Sequence, residues 1–249
     1  MVTGGSSGIG LSTVSRLAEE GFRVAFFGQT PDHVSAAAEM LISKFGRDAI
    51  FHKCLDIHDH SALDGFFDAV RDQWGPPDTL ICNAGISPKN QDGRASSLID
   101  TSIVEWERVL ATNLTAPFLC CQKLLPDLIE RRFGRIILVG SIAGRTVPKI
   151  AGPAYGVSKS ALSGLLRSLI TTLNGTGVTT NLVAPGHIST AMTGSTTSEV
   201  NQSALGRIPV GRIGTPEDVA ALIVFLASKD AGFINGASID VNGGEFVSL

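Results

Sequence analysis

The chain has 249 residues, of which 43% are apolar, so it can bury the core of one large α/β domain or of two small ones. Its net charge of −3 argues against a dedicated nucleic-acid-binding protein, which would carry a basic excess. No apolar run approaches the ~20 residues of a membrane span, and the glycine-rich start leaves no room for a signal peptide. We therefore expect a cytoplasmic protein with no membrane contact.

Apolar runs alternate with amphipathic helical segments along the chain, which is the pattern of a parallel sheet covered by helices on both faces. The first predicted strand, residues 1–3, is short for the central strand of a doubly wound sheet. Either the sheet tolerates this stub, or the reading frame begins downstream of its natural start. Further strands are predicted at residues 22–28, 49–54, 79–82, 135–140, 178–183 and 237–241. No repeat or linker interrupts them, so we predict one doubly wound α/β domain over residues 1–249.

Helices are predicted between these strands from apolar stripes and capping residues. Residues 61–74 carry one apolar stripe. Thr215, followed by Pro216 and two acidic residues, is typical of a helix N-terminus. Ser102 and Glu105 have the spacing of a capping box that opens another long helix.

The glycine-rich segment TGGSSGIG, residues 3–10, follows the first strand and opens a helix. Glycine lets backbone N–H groups approach a pyrophosphate closely, and a helix N-terminus favours anions. The spacing is G-x-x-x-G-x-G rather than the common dinucleotide fingerprint G-x-G-x-x-G. A tight turn without a ligand is the structural alternative.

Tyr155 is the only tyrosine, and it stands four residues before Lys159. On a helix this spacing places phenol and ammonium on the same face. A phenol titrates near pH ~10 and needs a stabilised anion to act as an acid-base catalyst near neutrality. The lysine could supply that positive charge, although a long helix can carry such a pair by accident.

A second local argument concerns Asn113. In one helix over residues 105–121, its backbone carbonyl would accept from the N–H of residue 117, which is Pro117 and has none. We therefore predict a kink there and a carbonyl that can hold a water. An asparagine with only a structural role at the kink is the alternative.

In chain order, the glycine turn at residues 3–10, Asn83-Ala84-Gly85, Asn113, Ser141, Tyr155 with Lys159, and Pro185-Gly186 resemble the short-chain dehydrogenase/reductase family. The resemblance covers essentially the whole chain. It is strongest to 3-oxoacyl carrier-protein reductases, on residues 208–219 and 241–244. It implies a Rossmann-type fold that binds NAD(H) or NADP(H) at the carboxyl ends of the strands.

The resemblance also implies site residues. For the cofactor they are Gly4, Ser6, Ser7, Gly8, Ile9, Gly10, Gln29, Asp56, Ile57, Asn83, Ala84, Gly85, Tyr155, Lys159, Pro185, Gly186, Ile188 and Thr190. Tyr155 would transfer the hydroxyl proton, and Lys159 would lower its pKa and hold the nicotinamide ribose. Ser141 would bind the substrate oxygen, and Asn113 would bind a water that relays protons towards the lysine.

Cofactor preference is read at the end of the second strand, where an acid favours NAD and a base favours NADP. Gly28-Gln29-Thr30 carries neither charge. Because no carboxylate repels a 2′-phosphate, NADP(H) is slightly favoured over NAD(H). On this reasoning Gly28→Asp should favour NAD, and Gln29→Arg should favour NADP.

We predict an enzyme that interconverts a ketone and a secondary alcohol, and the resemblance points to a 3-oxoacyl reductase. The alternatives are a sugar or polyol dehydrogenase and a catalytically idle NAD(P)-sensing binding protein. The resemblance implies a homotetramer and a substrate lid over residues 190–214. Arg131, Arg132 and Arg135 could form a surface for an acidic carrier protein, although a second basic contribution expected near residues 174–176 is missing.

Neither the cysteines nor the histidines indicate a disulfide or a metal site. Cys54, Cys82, Cys120 and Cys121 lack C-x-x-C spacing and lie in apolar runs, which favours buried free thiols in a reducing compartment. The cluster of His52, His58, Asp59 and His60 is more typical of a solvated helix cap than of a metal site. We expect no metal.

Overall fold

A computed structural model describes residues 1–90, 93–193 and 199–248 of the chain. Within these ranges the strands are β1 (Val2–Thr3), β2 (Val24–Gly28), β3 (Ile50–Cys54), β4 (Thr79–Cys82), β5 (Gly134–Val139), β6 (Val178–Pro185) and β7 (Ser238–Val241). The helices are α1 (Gly8–Glu19), α2 (Pro31–Phe45), α3 (His60–Trp74), α4 (Ile103–Leu110), α5 (Ala116–Arg131), α6 (Pro153–Thr172), α7 (Glu199–Leu205) and α8 (Pro216–Ala227).

The strands form one parallel sheet in the order β3-β2-β1-β4-β5-β6-β7. This confirms the predicted doubly wound α/β fold, and each predicted strand is found within two residues of its expected ends. The strand order reverses between β1 and β4. In open parallel sheets, ligands bind at the carboxyl ends of the strands beside such a reversal.

Alternate residues of the strands point to opposite faces, and each face has its own apolar core. Phe27 and Leu138 pack on one face with α3, α5 and α6. Phe26 and Ile137 pack on the other with α1, α2 and α8. Both faces of the sheet are therefore covered by helices, as the near-continuous apolar strands require.

The short first strand is held by contacts that a periodicity pattern does not reveal. Val2 is aligned with both Phe26 and Ile81, so β1 is central despite its two residues. Beyond the strand, the Thr3 hydroxyl accepts the backbone N–H groups of Asn83 at 3.0 Å and Ala84 at 2.9 Å. The sheet therefore accommodates the stub, and the chain turns directly into the glycine segment.

The predicted helix starts are found, but the long helix after Ser102 is not uniform. Ser102 caps α4 by accepting the N–H of Glu105 at 3.1 Å, while the Glu105 carboxylate accepts from Ser96 rather than closing a capping box. Between α4 and α5 the backbone forms a π-helical turn over Ala111–Thr115. The turn ends two residues before Pro117, which has no N–H to close a regular α-helical bond, and the predicted kink stays a prediction.

One prediction about the cysteines is wrong. Cys82, Cys120 and Cys121 are buried free thiols, whereas Cys54 is exposed. Cys54 ends β3, the edge strand of the sheet, where only one side has a neighbouring strand. In the part of the chain that the structure describes, no helix is both long and apolar enough to cross a bilayer.

Candidate active site

Two adjoining cavities lie at the carboxyl ends of the strands. The first, about 400 Å³, runs from the glycine segment past β2 and β4 to the end of β6, and we call it the cofactor cavity. The second, about 500 Å³, lies over residues 141–151 and the segment after β4, and we call it the substrate cavity. Ser141, Tyr155 and Gly186 line both cavities, so these residues mark their junction.

The structure brings most of the predicted cofactor residues to the first cavity. Its lining includes Gly4, Ser6, Ser7, Gly8, Ile9, Gln29, Ile57, Asn83, Ala84, Gly85, Tyr155, Lys159, Pro185, Gly186, Ile188 and Thr190. Gly10, Asp56 and Asn113 do not line it. Residues such as Leu55, Ile86, Thr112 and Val139, which also line it, carry no sequence signal of their own because any buried strand end has such residues.

The glycine segment fits a pyrophosphate. Gly4 and Gly8 adopt positive φ angles of 64° and 51°, which favour glycine. A Cβ at Gly10 would lie 2.6 Å from Asn83 Nδ2 and still closer to the Gly4 carbonyl, so glycine allows this close packing, and the predicted cofactor contact of Gly10 remains a prediction. The N-cap residue of α1, Ser7, makes no capping hydrogen bond with its side chain. This helix start therefore suits an anion.

Asn83 has a structural role beside its predicted contact with the cofactor. Its Nδ2 donates to the carbonyls of Thr3 and Gly4, both at 3.1 Å. The side chain thereby fixes the glycine turn against the end of β4. The cofactor contact of Asn83 remains a prediction.

The ribose-reading end of the cavity corrects one sequence-based expectation. An aspartate at position 28 would force its neighbours to shift, because a Cβ there would overlap the Ser6 hydroxyl and lie 2.9 Å from Ser6 Cβ and 3.1 Å from Val34 Cγ2. Gln29 lines the cavity, and its Nε2 donates to Asp56 Oδ2 at 3.1 Å. Gln29 therefore remains the predicted ribose-reading residue at this end. His33, in the first turn of α2, also lines this end and was missed.

Asp56 is occupied by protein contacts. Besides the bond from Gln29, its Oδ1 accepts the backbone N–H of His58 at 2.9 Å. Its predicted contact with the cofactor remains a prediction. Its neighbours Leu55 and Ile57 line the cavity and supply an apolar surface there.

Tyr155 and Lys159 lie one turn apart on α6, with the ammonium 5.7 Å from the centre of the phenol ring. Burial raises the pKa of Tyr155, and a hydrogen bond with Ser141 offsets part of this rise. Ser141 follows β5, and its Oγ accepts the N–H of Ala143 at 3.1 Å. The predicted proton donor and the predicted oxygen-binding serine are therefore in direct contact.

Lys159 is buried, and its Nζ donates to the carbonyl of Val139 at 2.7 Å. Burial lowers the pKa of Lys159 to about 8, and the nearby Cys82 opposes this with a smaller effect. The ammonium is therefore charged near neutrality but close to its titration range. Its predicted effect on the pKa of Tyr155 stays a prediction.

Asn113 lies in the π-helical turn, behind the cofactor cavity. Its Oδ1 accepts the N–H of Ile86 at 2.8 Å, and its Nδ2 donates to the Ile86 carbonyl and to Ser158 Oγ. Ser158 Oγ in turn donates to the Tyr155 carbonyl at 2.8 Å. A Cβ at Gly85 would lie 3.3 Å from Lys159 Nζ and 3.4 Å from Asn113 Oδ1. Asn113 therefore joins three segments around Lys159, and its water-binding role remains a prediction.

The features that sequence reasoning discounted have structural roles. Asp59 caps α3 by accepting the N–H of Ala62 at 3.0 Å. Within residues 1–90, 93–193 and 199–248, no group of three or more His, Cys, Asp or Glu side chains is placed to hold a metal ion. Arg131 and Arg132 donate to the backbone carbonyls of Pro76 and Gly175. Arg135 is buried at the start of β5, the strand whose far end leads to Ser141.

The predicted substrate lid is described only in part. Thr190 lines the cofactor cavity, residues 191–193 line both cavities, and residues 199–214 include α7. Residues 194–198 of the predicted lid lie outside the described residues.

Comparison with known proteins gives one consistent result. A family model described as enoyl-(acyl carrier protein) reductase matches residues 4–245. The 3-oxoacyl-(acyl-carrier-protein) reductase MabA of Mycobacterium tuberculosis is 37% identical over 98% of this chain and 91% of the relative. The 3-oxoacyl-(acyl-carrier-protein) reductase FabG of Aquifex aeolicus is 35% identical over 99% of this chain and 96% of the relative.

Solved structures agree with the sequence comparison. A 3-oxoacyl-(acyl-carrier protein) reductase from Brucella melitensis superposes with a TM-score of 0.92 at 32% identity, covering 99% of this chain and 90% of that one. A second such structure from the same organism, with bound NAD, gives a TM-score of 0.90 at 31% identity and the same coverage.

Proposed function

The chain belongs to the short-chain dehydrogenase/reductase family, and we propose that it is an NAD(P)-dependent oxidoreductase that interconverts a ketone and a secondary alcohol. The observation that carries this proposal is the position of Tyr155 and Ser141, which line both cavities. A proton donor at that junction can act on a substrate carbonyl in one cavity while the cofactor occupies the other. Among ketones, a 3-oxoacyl group is the best-supported substrate, since the relatives are named for that activity.

The first cavity suits a nicotinamide dinucleotide, which when bound would supply or accept the hydride. Gly4, Gly8 and the start of α1 would hold its pyrophosphate, and the ends of β2 and β4 would receive the adenosine. Residues 185–190 would contact the nicotinamide. NADP(H) is slightly favoured over NAD(H), because Gln29 offers a hydrogen-bond donor and no negative charge to a 2′-phosphate.

Three side chains of the protein would take part in the reaction. Tyr155 would donate its proton to the developing alkoxide during reduction, since a phenol is protonated near pH 7 and burial raises its pKa further. Ser141 would hold the same oxygen and align it. Lys159, protonated below about pH 8, would place a positive charge beside the phenolate and favour its formation.

Asn113 would act through position rather than through contact with substrate. Its amide holds Ile86 and Ser158, and Ser158 is bonded to the backbone of Tyr155. Loss of this amide would disturb the placement of both Tyr155 and Lys159. A water on its backbone carbonyl, relaying protons towards Lys159, is part of the proposal.

The quaternary structure we propose is a homotetramer. Phe118 on α5 and Val157 on α6 are apolar yet 46% and 45% exposed. Ser160, Gly164 and Ser168 continue the face of Val157 along α6, and such small side chains let two helices approach closely. Association of this face with a second copy would bury these apolar side chains.

A substrate panel tests the proposal and separates it from its alternatives. We expect the protein to oxidise NADPH or NADH when a 3-oxoacyl thioester or another ketone is supplied. The absorbance of the reduced nicotinamide monitors the reaction. A sugar or polyol dehydrogenase would instead respond only to sugars and polyols. A binding protein would bind the cofactor without turnover of any substrate, which would overturn the proposed activity.

A further inference from the structure

The substrate cavity contains more positive than negative charge. Its charged lining residues are Lys89, Lys149, Arg207 and Glu245. The Glu245 carboxylate is matched by Arg207, whose Nη2 lies 3.3 Å from Oε1. Among the described residues, no carboxylate lies within ion-pair distance of Lys89 or Lys149. The two lysines therefore give the cavity a net positive charge.

Lys89 is the better placed of the two lysines to bind a ligand. It follows β4 and is half-buried, and its Nζ donates to the carbonyl of Ile150 across the cavity at 2.8 Å. This bond fixes the ammonium on the wall and uses one of its three donors. Burial also lowers the pKa of Lys89.

The remaining lining is largely apolar around the lysines. Ile142, Val147 and Pro148 line the cavity on the same side as Lys149, whereas Ser141 and Tyr155 lie at its junction with the cofactor cavity. A ligand that fills this space would place a polar oxygen at Tyr155, apolar carbons along the wall and an acceptor-rich group at the lysines. Lys149 is exposed, so its contribution should be smaller than that of Lys89.

We propose that the ketone substrate carries an anionic group, a carboxylate or a phosphate, which Lys89 binds with help from Lys149 while the ketone oxygen reaches Tyr155 and Ser141. This inference rests on the proposed function and narrows its substrate class. Lys89 and Lys149 line the cavity itself, whereas Arg131 and Arg132 line neither cavity. An anionic group on the substrate itself therefore matches the structure better than a protein-borne charge at those arginines.

The competing explanation is that Lys89 only links the two walls through Ile150. Lys89→Gln separates the two roles, because glutamine keeps an N–H donor and loses the charge. Lys149→Met removes the second charge. Lys229→Met is the matched control, since Lys229 is exposed and lines neither cavity.

The experiment compares charged and neutral ketones as matched pairs. The pairs are 4-oxopentanoate with its methyl ester, and dihydroxyacetone phosphate with dihydroxyacetone, so that the first reports a carboxylate and the second a phosphate. In the wild type we expect kcat/KM to favour the anionic member of at least one pair by about tenfold or more. Lys89→Gln should abolish most of this ratio through KM, Lys149→Met should lower it less, and Lys229→Met should keep it.

Two outcomes would overturn the inference: no anionic preference in either pair, or a ratio that Lys89→Gln leaves unchanged. Calorimetric titration of the protein with 4-oxopentanoate and with inorganic phosphate separates this failure from failure of the proposed function. If no ketone is turned over but an anion binds and Lys89→Gln abolishes its binding, the proposed function fails and the anion site stands. If neither anion binds and no ketone is turned over, both fail.

Discussion

Lys159→Met should stabilise the cofactor-free protein while removing activity. Lys159 is 5% exposed, and burial lowers its pKa from 10.5 to about 8. Because each pKa unit corresponds to about 1.36 kcal/mol, holding this lysine protonated lowers the free energy of unfolding near pH 7 by about 3 kcal/mol. Methionine fills a similar volume without a charge.

Part of this gain is lost with the hydrogen bond to Val139. The Val139 carbonyl accepts from Lys159 Nζ at 2.7 Å, and leaving it without this partner costs about 1–2 kcal/mol. The net expectation is a rise of about 1–2 kcal/mol in the free energy of unfolding. For a chain of this size that corresponds to an increase in Tm of about 2–8 °C.

The pH dependence gives the sharper test. Below about pH 8 both the folded and the unfolded protein hold the proton, so the wild type carries the full penalty. Between about pH 8 and 10.5 the unfolded state keeps the proton and the folded state loses it, so wild-type stability rises with pH through this group. The advantage of Lys159→Met should therefore shrink across this range.

Chemical denaturation of the cofactor-free proteins near pH 7 and near pH 10 measures both effects. Lys229→Met, at an exposed position, is the control and should change the free energy of unfolding by less than about 0.5 kcal/mol. A Lys159→Met variant that is less stable than the wild type near pH 7, or whose advantage is equal at both pH values, would refute the reasoning.

Gln29→Arg should raise the NADPH-to-NADH ratio of kcat/KM by about ten- to a hundredfold. The rise in this ratio should be larger in the double variant that also carries Asp56→Asn. Gln29 Nε2 lies 3.1 Å from Asp56 Oδ2, so an arginine at position 29 would otherwise pair with that carboxylate instead of the 2′-phosphate. A thousandfold preference in the wild type would show that another residue reads the ribose. Gly28→Asp should lower the free energy of unfolding by about 1–3 kcal/mol, since its Cβ would lie 2.9 Å from a buried side chain; a stable variant that prefers NAD would contradict this. Light scattering should give a tetrameric mass for the wild type and a smaller mass for the double variant with Phe118→Glu and Val157→Glu, and a monomeric wild type at micromolar concentration would refute the proposed assembly.

The fold was predictable because its determinants are local and repeated. Buried strands such as β5 and β6 are continuous apolar runs, and helices such as α3 carry an apolar stripe, so element type and order follow from periodicity. The exposure of Cys54 was not predictable in the same way. It depends on β3 being the edge of the sheet, which is a property of strand order and not of the segment itself.

The site was predictable where a motif brings its residues together in sequence. Tyr155 and Lys159 share a helix turn, and the glycine segment is contiguous. Contacts between distant segments were not predictable from the sequence. The hydrogen bonds of the Asn113 side-chain amide to Ile86 and Ser158 are an example. The steric block at Gly28 is of the same kind, because only the folded chain places Ser6 against it.

Proton transfer by Tyr155 is the central claim, and comparison of Tyr155→Phe with the wild type tests it most directly. Phenylalanine keeps the ring at the junction of the two cavities and removes only the hydroxyl. Cofactor affinity, measured by calorimetric titration, should be unchanged, and kcat with the best ketone of the panel should fall by about a hundredfold or more. A variant that keeps near-full turnover would contradict the assignment of Tyr155 as the acid-base residue.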